Sequence, residues 1–270
     1  MDLNAEPSGK EKHTVAAGEA KKTLVAGKPA LPAGAITSDQ LPAQPDAATT
    51  GFMRRLFDAQ IRMKLASKKP KPYLLDLPKG TNVPITAPGI KPGLELHKNI
   101  EPIFSKMFIA ITADLHDPKC NIEGRTDVHA IGVASAYRAL KKDAAAWVGA
   151  FHTHMKASKE EREKSAGGLL GEAAFRIMLK RMNSKKAPPG FSNHTRGVAV
   201  DFSTSQYFAE YALDRKTHKM MSGVVDLGPS SSQKPLWRKS WLYKWLGAHA
   251  EKEYGFKQLV TEEWHWDHTE

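Results

Sequence analysis

Segments with helical periodicity alternate along this chain with short apolar runs, and this alternation limits the folds that it can adopt. Helical patterns are found at residues 139–156, 169–182 and 235–254. Short runs that predict strands are found at residues 128–137, 197–202 and 257–266. Neither an internal repeat nor a glycine-rich phosphate loop interrupts the order. The interleaving of helices and short strands predicts an α+β fold.

The first 50 residues differ in composition from the rest of the chain. They are rich in Ala, Pro, Gly, Lys and Thr, and they contain no aromatic residue. Such a segment cannot bury enough apolar surface to offset its conformational entropy, so we predict that residues 1–50 form a disordered tail. The tail would serve either as a linker or as a docking segment for secretion or injection machinery.

A helical stripe follows at residues 52–67. Its apolar side chains recur at every fourth position, in Met53, Phe57, Ile61 and Leu65. This helix would either pack on the adjoining domain or lie as a basic amphipathic helix against a membrane or the cell envelope. Six prolines between residues 70 and 95 then predict an extended connector. We assign residues 51–95 to the amphipathic helix with its Pro-rich connector, and residues 96–270 to the domain that carries the function.

Charge and cysteine content restrict the partners and the kind of metal site. The formal net charge of +11 favours an anionic partner, such as nucleic acid, anionic lipid or the acidic bacterial envelope. No zinc-finger or RNA-recognition signature supports the first of these. The single cysteine, Cys120, excludes an intrachain disulfide and is a poor basis for a thiolate metal site. Any metal would therefore be held by histidines and carboxylates.

The beginning of the chain lacks the pattern of a secretory signal, which is a basic region followed by an apolar one. The longest apolar run, at residues 107–111, is far too short to cross a bilayer. We therefore expect synthesis in the cytoplasm, without a signal peptide or a transmembrane segment.

Two segments in the last third of the chain carry the residue types of a catalytic zinc site. One contains His194 and Asp201, and the other contains His265 after two glutamates. A catalytic zinc takes three protein ligands from His, Asp and Glu, and it lowers the pKa of a water molecule in the remaining position. A neighbouring carboxylate then accepts a proton from that water. The spacing alone is also compatible with a surface histidine and an aspartate at the end of a strand.

The wider motifs resemble a known family of peptidases. Ser-x-His-x-x-Gly-x-Ala-x-Asp over residues 192–201, followed by Glu-x-Trp-His over residues 262–265, is similar to the signature of VanY-type D-alanyl-D-alanine carboxypeptidases. VanX dipeptidases and phage L-alanyl-D-glutamate endopeptidases are related to these enzymes. Ala-Tyr-Arg at residues 136–138 resembles the Gly-Tyr-Arg segment of the family. The resemblance covers roughly residues 125–268.

The resemblance implies a hedgehog/DD-peptidase-like fold, in which a small antiparallel sheet is flanked by helices. It also implies that Zn²⁺ is bound by His194, Asp201 and His265. Arg138 would stabilise the oxyanion that forms during amide hydrolysis, as a fixed cation can do. Ser192 would help to hold the substrate, although a turn hydroxyl that bonds to the backbone is an equal alternative for this residue.

Glu262 is the general base that the resemblance implies. In a plain strand over residues 257–266, however, Glu263 and His265 would share one face and Glu262 would point away. The assignment of Glu262 therefore requires a bend or bulge just before Trp264. Position 263 is often proline in the family, which also argues against Glu263 as the base.

These features predict a zinc-dependent peptidase, similar to D-Ala-D-Ala carboxypeptidases, that hydrolyses amide bonds in peptidoglycan stem peptides. A peptidoglycan endopeptidase, acting as a phage lysin or a secreted antibacterial effector, is the alternative among enzymes. An inactive module that only binds the cell wall is the non-enzyme alternative. Because the substrate lies in the periplasm or outside the cell, the protein would reach it after lysis or through a secretion system.

Two further features leave two interpretations each. Asp267 would either support His265 by a hydrogen bond or be exposed near the end of the chain. Trp237, Trp241 and Trp245 recur at every fourth position, so they would form either part of the core or a platform on which a sugar stacks.

Overall fold

The computed structural model describes residues 30–67, 72–211 and 223–269. Within these residues the chain forms seven α-helices and seven β-strands. The helices are α1 Ala47–Leu65, α2 Glu101–His116, α3 Leu140–Ala157, α4 Lys159–Glu163, α5 Glu172–Lys185, α6 Lys234–Lys239 and α7 Trp241–Tyr254. The strands are β1 Asn82–Pro84, β2 Glu95–His97, β3 Val128–Ser135, β4 Ala199–Tyr207, β5 Val224–Leu227, β6 Phe256–Gln258 and β7 His265–His268.

The main sheet has five antiparallel strands in the order β3-β4-β7-β6, and β5 also pairs with β4. Strands β1 and β2 form a separate two-stranded ribbon. Strand β4 is the centre of the sheet, and its register places Asp201 opposite both Ser135 on β3 and His265 on β7. The predicted α+β class, with a small antiparallel sheet flanked by helices, is confirmed.

One hydrophobic core lies between the main sheet, helix α2 and helices α6 and α7. The three predicted stripe tryptophans, Trp237, Trp241 and Trp245, are all buried in it. The indole N–H of Trp237 donates a hydrogen bond to the Gly228 carbonyl, and that of Trp245 donates to the Asp114 carboxylate. The tryptophans therefore belong to the core, and the sugar-stacking alternative is wrong because the rings are covered by protein.

A second core is formed by helices α1, α3 and α5. The α1 stripe is buried there, and Phe57 packs edge-to-face on Trp147 of α3 with 5.0 Å between ring centroids. Phe52 makes a similar contact with Phe175 of α5. Helix α1 thus packs on the domain, and its apolar side is not available to a membrane. None of the helices in the described parts of the chain has the length and apolar character that crossing a bilayer requires.

Residues 30–50 differ from the predicted disordered tail. They include a short 3₁₀ helix at Ser38–Gln40 and the first turn of α1, which is capped where Asp46 accepts a hydrogen bond from the Thr49 N–H. Ala35 and Leu41 are buried, which the composition of the segment did not indicate. The rest of the predicted tail, residues 1–29, lies outside the described residues.

Two of the predicted elements are each divided into two in the structure. The helix predicted at residues 235–254 is two helices, because Ser240 has extended backbone angles and caps α7 by accepting a hydrogen bond from the Tyr243 N–H. The strand predicted at residues 257–266 is a hairpin of β6 and β7 around a turn at residues 259–264. The second difference changes the geometry of the predicted site.

Candidate metal centre

The three predicted zinc ligands come from two adjacent strands and the turn that enters one of them. His194 lies in a 3₁₀ helix, Asn193–Arg196, directly before β4, while Asp201 lies on β4 and His265 begins β7. Gly197 ends the 3₁₀ helix with φ +67°, and a Cβ at this position would lie 2.6 Å from the Asn82 Oδ1 atom. Glycine at this point therefore lets the chain pass from His194 into β4 without strain.

These three side chains form one buried cluster in which each offers a ligand atom, and the atoms lie within 4.8 Å of one another. The His194 Nε2 atom is 3.2 Å from Asp201 Oδ2, and the His265 Nδ1 atom is 2.8 Å from Asp201 Oδ1. Donor atoms around a tetrahedral zinc, each about 2.1 Å from the ion, lie about 3.4 Å apart. Two imidazole nitrogens and a carboxylate at these separations fit a zinc ion with small adjustments.

The other nitrogen of each imidazole is held by a group outside the cluster. His194 Nδ1 donates to the Ala136 carbonyl at 2.6 Å, and His265 Nε2 donates to Asp267 Oδ1 at 2.8 Å. These bonds leave His194 Nε2 and His265 Nδ1 directed at Asp201, which is the arrangement that fixes imidazole ligands in metal sites. Asp267 therefore supports His265, and the alternative that it is exposed is wrong.

Electrostatics inside the cluster favour the charged forms of Asp201 and His265. Burial raises the pKa of Asp201, but the neighbouring imidazoles of His194 and His265 outweigh burial and hold that pKa well below its usual range. Burial lowers the pKa of His265, but its hydrogen bonds to Asp201 and Asp267 raise the value to about 10. A proton and a metal ion would thus compete for the same nitrogen of His265.

The two glutamates before His265 lie in different environments. Glu263 is 1 % exposed, and its carboxylate accepts hydrogen bonds from Arg238 Nε and Nη2 at 2.9 and 2.6 Å. Lys234 Nζ lies 3.4 Å from the same carboxylate, so Glu263 is neutralised by two cations and is not available as a base. Glu262 is only half-buried.

The turn between β6 and β7 removes the conflict over Glu262. Its backbone is fixed where the Glu262 N–H donates to the Leu259 carbonyl and the His265 N–H donates to the Glu262 carbonyl. The alternation of side chains along a strand does not apply to a turn, so Glu262 and His265 need not point to opposite faces. The role of Glu262 itself stays a prediction.

Arg138 follows β3 and lies beside the cluster. Its backbone N–H donates to the His194 carbonyl at 3.1 Å, and its Nη1 atom is 3.7 Å from Asp201 Oδ2. Ser192 accepts a hydrogen bond from the His194 N–H at 3.3 Å, so its hydroxyl caps the 3₁₀ helix. The backbone-bonding alternative for Ser192 is thus present in the structure, and a contact with substrate stays a prediction.

The sequence analysis missed Asp143, which is completely buried next to Arg138. A signal for it exists in the sequence, since Asp143 lies on the same helical face as Leu140, Trp147 and Phe151. A carboxylate on an otherwise apolar face indicates either an error in the assigned face or a buried ion pair.

A cleft of about 510 Å³ opens beside the cluster on the side of Asp267. Asn193, Lys257 and Leu259 contribute to its walls. The cleft thus lies between the 3₁₀ helix that carries His194 and the hairpin that carries His265.

Comparison with known proteins gives similarity to solved structures alone. No family model and no curated protein matches the chain. One similar structure is the vancomycin resistance D,D-pentapeptidase VanY, determined as a variant in complex with Zn(II), with 18 % identity over 72 % of this chain and 85 % of that one and a TM-score of 0.37. VanYB in complex with D-alanine-D-alanine has 16 % identity over 76 % and 81 %, with a TM-score of 0.37. The LdcB LD-carboxypeptidase has 15 % identity over 73 % and 75 %, with a TM-score of 0.39.

VanY-type peptidases, the group that the sequence motifs resemble, are thus among the solved structures that this chain is similar to. The similarity is distant in sequence and in geometry. Function is therefore inferred from the residues of this chain.

Proposed function

We propose that this chain is a zinc-dependent peptidase that hydrolyses amide bonds in peptidoglycan stem peptides. The observation that carries the proposal is the buried His194–Asp201–His265 cluster, in which both imidazoles are held from outside and direct their second nitrogens at Asp201. The motifs around these residues, which resemble those of VanY-type carboxypeptidases, support a peptide substrate from the cell wall.

The residues of the chain divide the work of amide hydrolysis among them. A bound zinc ion would polarise the scissile carbonyl and lower the pKa of the attacking water. Glu262 would accept the proton of that water and pass it to the leaving amine. Arg138 would stabilise the negative charge that develops on the carbonyl oxygen. Glu263, held by Arg238 and Lys234, would keep the turn that carries Glu262 in place.

Substitution of Glu262 tests this assignment of roles. Glu262→Gln is expected to keep zinc bound and to lower kcat by about a hundredfold to ten-thousandfold, because it removes only the proton acceptor. The measurement is the rate of stem-peptide cleavage together with the zinc content of the purified protein. Unchanged activity of Glu262→Gln would contradict the assignment of the base.

The products decide which peptidase the chain is. Digestion of purified muropeptides followed by mass spectrometry should show loss of a terminal D-alanine if the chain is a carboxypeptidase. Cleavage inside the stem or the cross-link would instead identify an endopeptidase. Binding of muropeptides without any cleavage would overturn the enzymatic proposal in favour of a binding module.

The site of action proposed for this chain is the cell wall, in the periplasm or outside the cell. Delivery by lysis, as for a phage lysin, or by a secretion machine, as for an antibacterial effector, stays a prediction. Removing residues 1–50 and measuring delivery would test whether the predicted tail contributes to it, and unaffected delivery would count against that role.

A further inference from the structure

Asp143 is a buried carboxylate outside the predicted catalytic set. It lies in the first turn of helix α3, with no exposed surface, between Leu140 and Trp147 on the apolar face of the helix. An ionised carboxylate is unfavourable in such surroundings unless cations and hydrogen bonds compensate it. Its partners therefore indicate why an acidic residue is present there.

Two cations share one oxygen of Asp143. Lys186 Nζ donates a hydrogen bond to Oδ1 at 3.2 Å. Arg138 Nε lies 3.5 Å from the same oxygen and forms an ion pair with it, but neither this nitrogen nor Oδ2 has a hydrogen-bond partner among the described residues. Arg138 reaches in the opposite direction as well, since its Nη1 atom is 3.7 Å from Oδ2 of Asp201. The guanidinium of Arg138 is thus bracketed by a carboxylate outside the metal centre and a predicted ligand within it.

The charges in this group leave Arg138 effective as a cation. Asp143 alone would neutralise Arg138 and weaken its attraction for an anion on the substrate. Lys186, at the end of helix α5 and 17 % exposed, supplies a second positive charge to the same oxygen. Arg138, Lys186 and Asp143 together carry a net charge of about +1.

We infer that Asp143 is a positioning residue that fixes the guanidinium of Arg138 against the metal centre, and that Lys186 is the counter-charge that preserves the field of Arg138. The inference deepens the proposed function and rests on it, because Arg138 has its role only if an amide is hydrolysed. The ion pair with Asp143 is made at Nε, whereas Nη1 donates to Ser135 Oγ at 3.5 Å and lies 3.7 Å from Asp201 Oδ2. A long side chain held in this way loses less entropy when charge develops on the substrate.

A purely structural ion pair is the competing explanation. Breaking a buried pair destabilises a protein whether or not the pair is near an active site. If the pair is only structural, Asp143→Asn would lower stability, and its effect on kcat would be the same whether or not Arg138 is present. The two explanations therefore differ in kinetics and in the behaviour of the Arg138 side chain.

A double-mutant cycle in the full chain separates them, with Asp143→Asn, Arg138→Ala and the double variant assayed on the muropeptide that the wild type cleaves. Arg138→Ala is expected to lower kcat by about a hundredfold or more. Asp143→Asn is expected to lower kcat by about tenfold with KM changed by less than about twofold, and to have no further effect when Arg138 is absent. Equal losses in both backgrounds would overturn the inference.

A spectroscopic readout does not depend on activity. The Arg138 Nε–H signal, assigned by its loss in Arg138→Ala, should exchange slowly in the wild type and about tenfold or more faster in Asp143→Asn. Unchanged exchange would overturn the positioning role. If the wild type cleaves no muropeptide, the proposed function fails, and the exchange result still decides whether Asp143 fixes Arg138.

Two further variants complete the design. Lys186→Met should lower kcat by about threefold or more while Arg138 Nε–H still exchanges slowly, because the charge is lost and the contact is kept. An unchanged kcat would overturn the counter-charge role. If Asp143→Asn does not fold, the wild type alone decides the positioning role, because fast exchange of Arg138 Nε–H there would overturn it. Glu101→Gln is the matched control, since that buried carboxylate bonds to Thr86 and Ser105 and should affect stability but neither readout.

Discussion

Each imidazole of the candidate metal centre uses one ring nitrogen to hold its orientation and directs the other at Asp201. For His194 the holding group is a backbone carbonyl, and for His265 it is the Asp267 carboxylate. A carbonyl cannot be removed by substitution, but a carboxylate can. Asp267 therefore offers a direct test at the scale of single residues.

Replacing Asp267 with Ala should weaken zinc binding by about 10- to 100-fold, because His265 loses the group that orients its ring. Competition with a chelating dye measures the affinity. Glu253→Gln is the control, since Glu253 also accepts from a histidine, His249, at 2.7 Å, but on the exposed surface of α7. Equal affinities of wild type and Asp267→Ala would show that the contact does not support a ligand.

Gly197→Ala should destabilise the fold by about 1–3 kcal/mol, because a Cβ at φ +67° is strained and would meet Asn82 and the His97 backbone. Urea denaturation followed by fluorescence measures the change. Gly247→Ala in α7 is the control, since a Cβ there has no heavy atom within 4 Å and alanine favours helix. Similar losses in both variants would contradict the close approach at Gly197.

At the scale of secondary structure, helix α2 is tied to the preceding ribbon through Glu101. One oxygen of this buried carboxylate accepts hydrogen bonds from the Thr86 N–H, the Thr86 hydroxyl and the Ser105 hydroxyl at 2.6–2.8 Å. Burial raises the pKa of Glu101, but these hydrogen bonds outweigh burial and lower it. The stabilisation is therefore present above the pKa of the unfolded state and is lost as pH falls through the folded pKa.

Glu101→Gln should lower the free energy of unfolding by about 1–3 kcal/mol at pH 7, and the difference from wild type should shrink below about pH 4. Urea titrations at several pH values measure both effects. Glu123→Gln is the control, because Glu123 meets Lys244 at the exposed surface and its loss should have little effect at any pH. A pH-independent loss in Glu101→Gln would mean that packing, not charge, is responsible.

The sequence predicts an element correctly where its periodicity matches one continuous helix or strand. The prediction fails where the chain changes direction but the spacing of apolar residues continues across the break. Ser240 separates α6 from α7, yet Trp237, Trp241 and Trp245 continue the four-residue spacing across it. The turn at residues 259–264 contains no glycine, proline or asparagine, so nothing in its composition marks a reversal of the chain. Both breaks depend on hydrogen bonds that form only in the folded structure.

In the candidate site, too, the sequence motifs indicate some residues, whereas other contacts depend on tertiary packing. His194, Asp201 and His265 could be named from motifs, and the register of β4 against β7 brings Asp201 and His265 together across 64 positions. Asp143 can be recognised in the sequence as a carboxylate on an apolar helical face, but its partner Arg138 cannot, because that contact depends on how α3 packs. A periodicity argument identifies a face of a helix but does not identify what covers it.

At the scale of the whole molecule, Arg138 lies where the two cores meet. Strand β3 contributes to the core under the sheet, whereas α3 contributes to the core with α1 and α5. Arg138 lies in the short segment between them, and its partners Asp201 and Asp143 come from β4 and α3. Helix α1 packs on α3 in the second core, so the helix that follows Arg138 is covered by the amino-terminal helix.

The most direct test of the central claim is a zinc titration of chelator-treated full-length protein with muropeptide cleavage as the readout. We predict that cleavage is abolished by the chelator and returns in proportion to zinc bound, reaching its full value at about one ion per chain. The His265→Ala variant should neither bind zinc at this site nor recover cleavage when zinc is added. Cleavage that persists without zinc, or that returns in His265→Ala, would contradict a catalytic zinc at His194, Asp201 and His265.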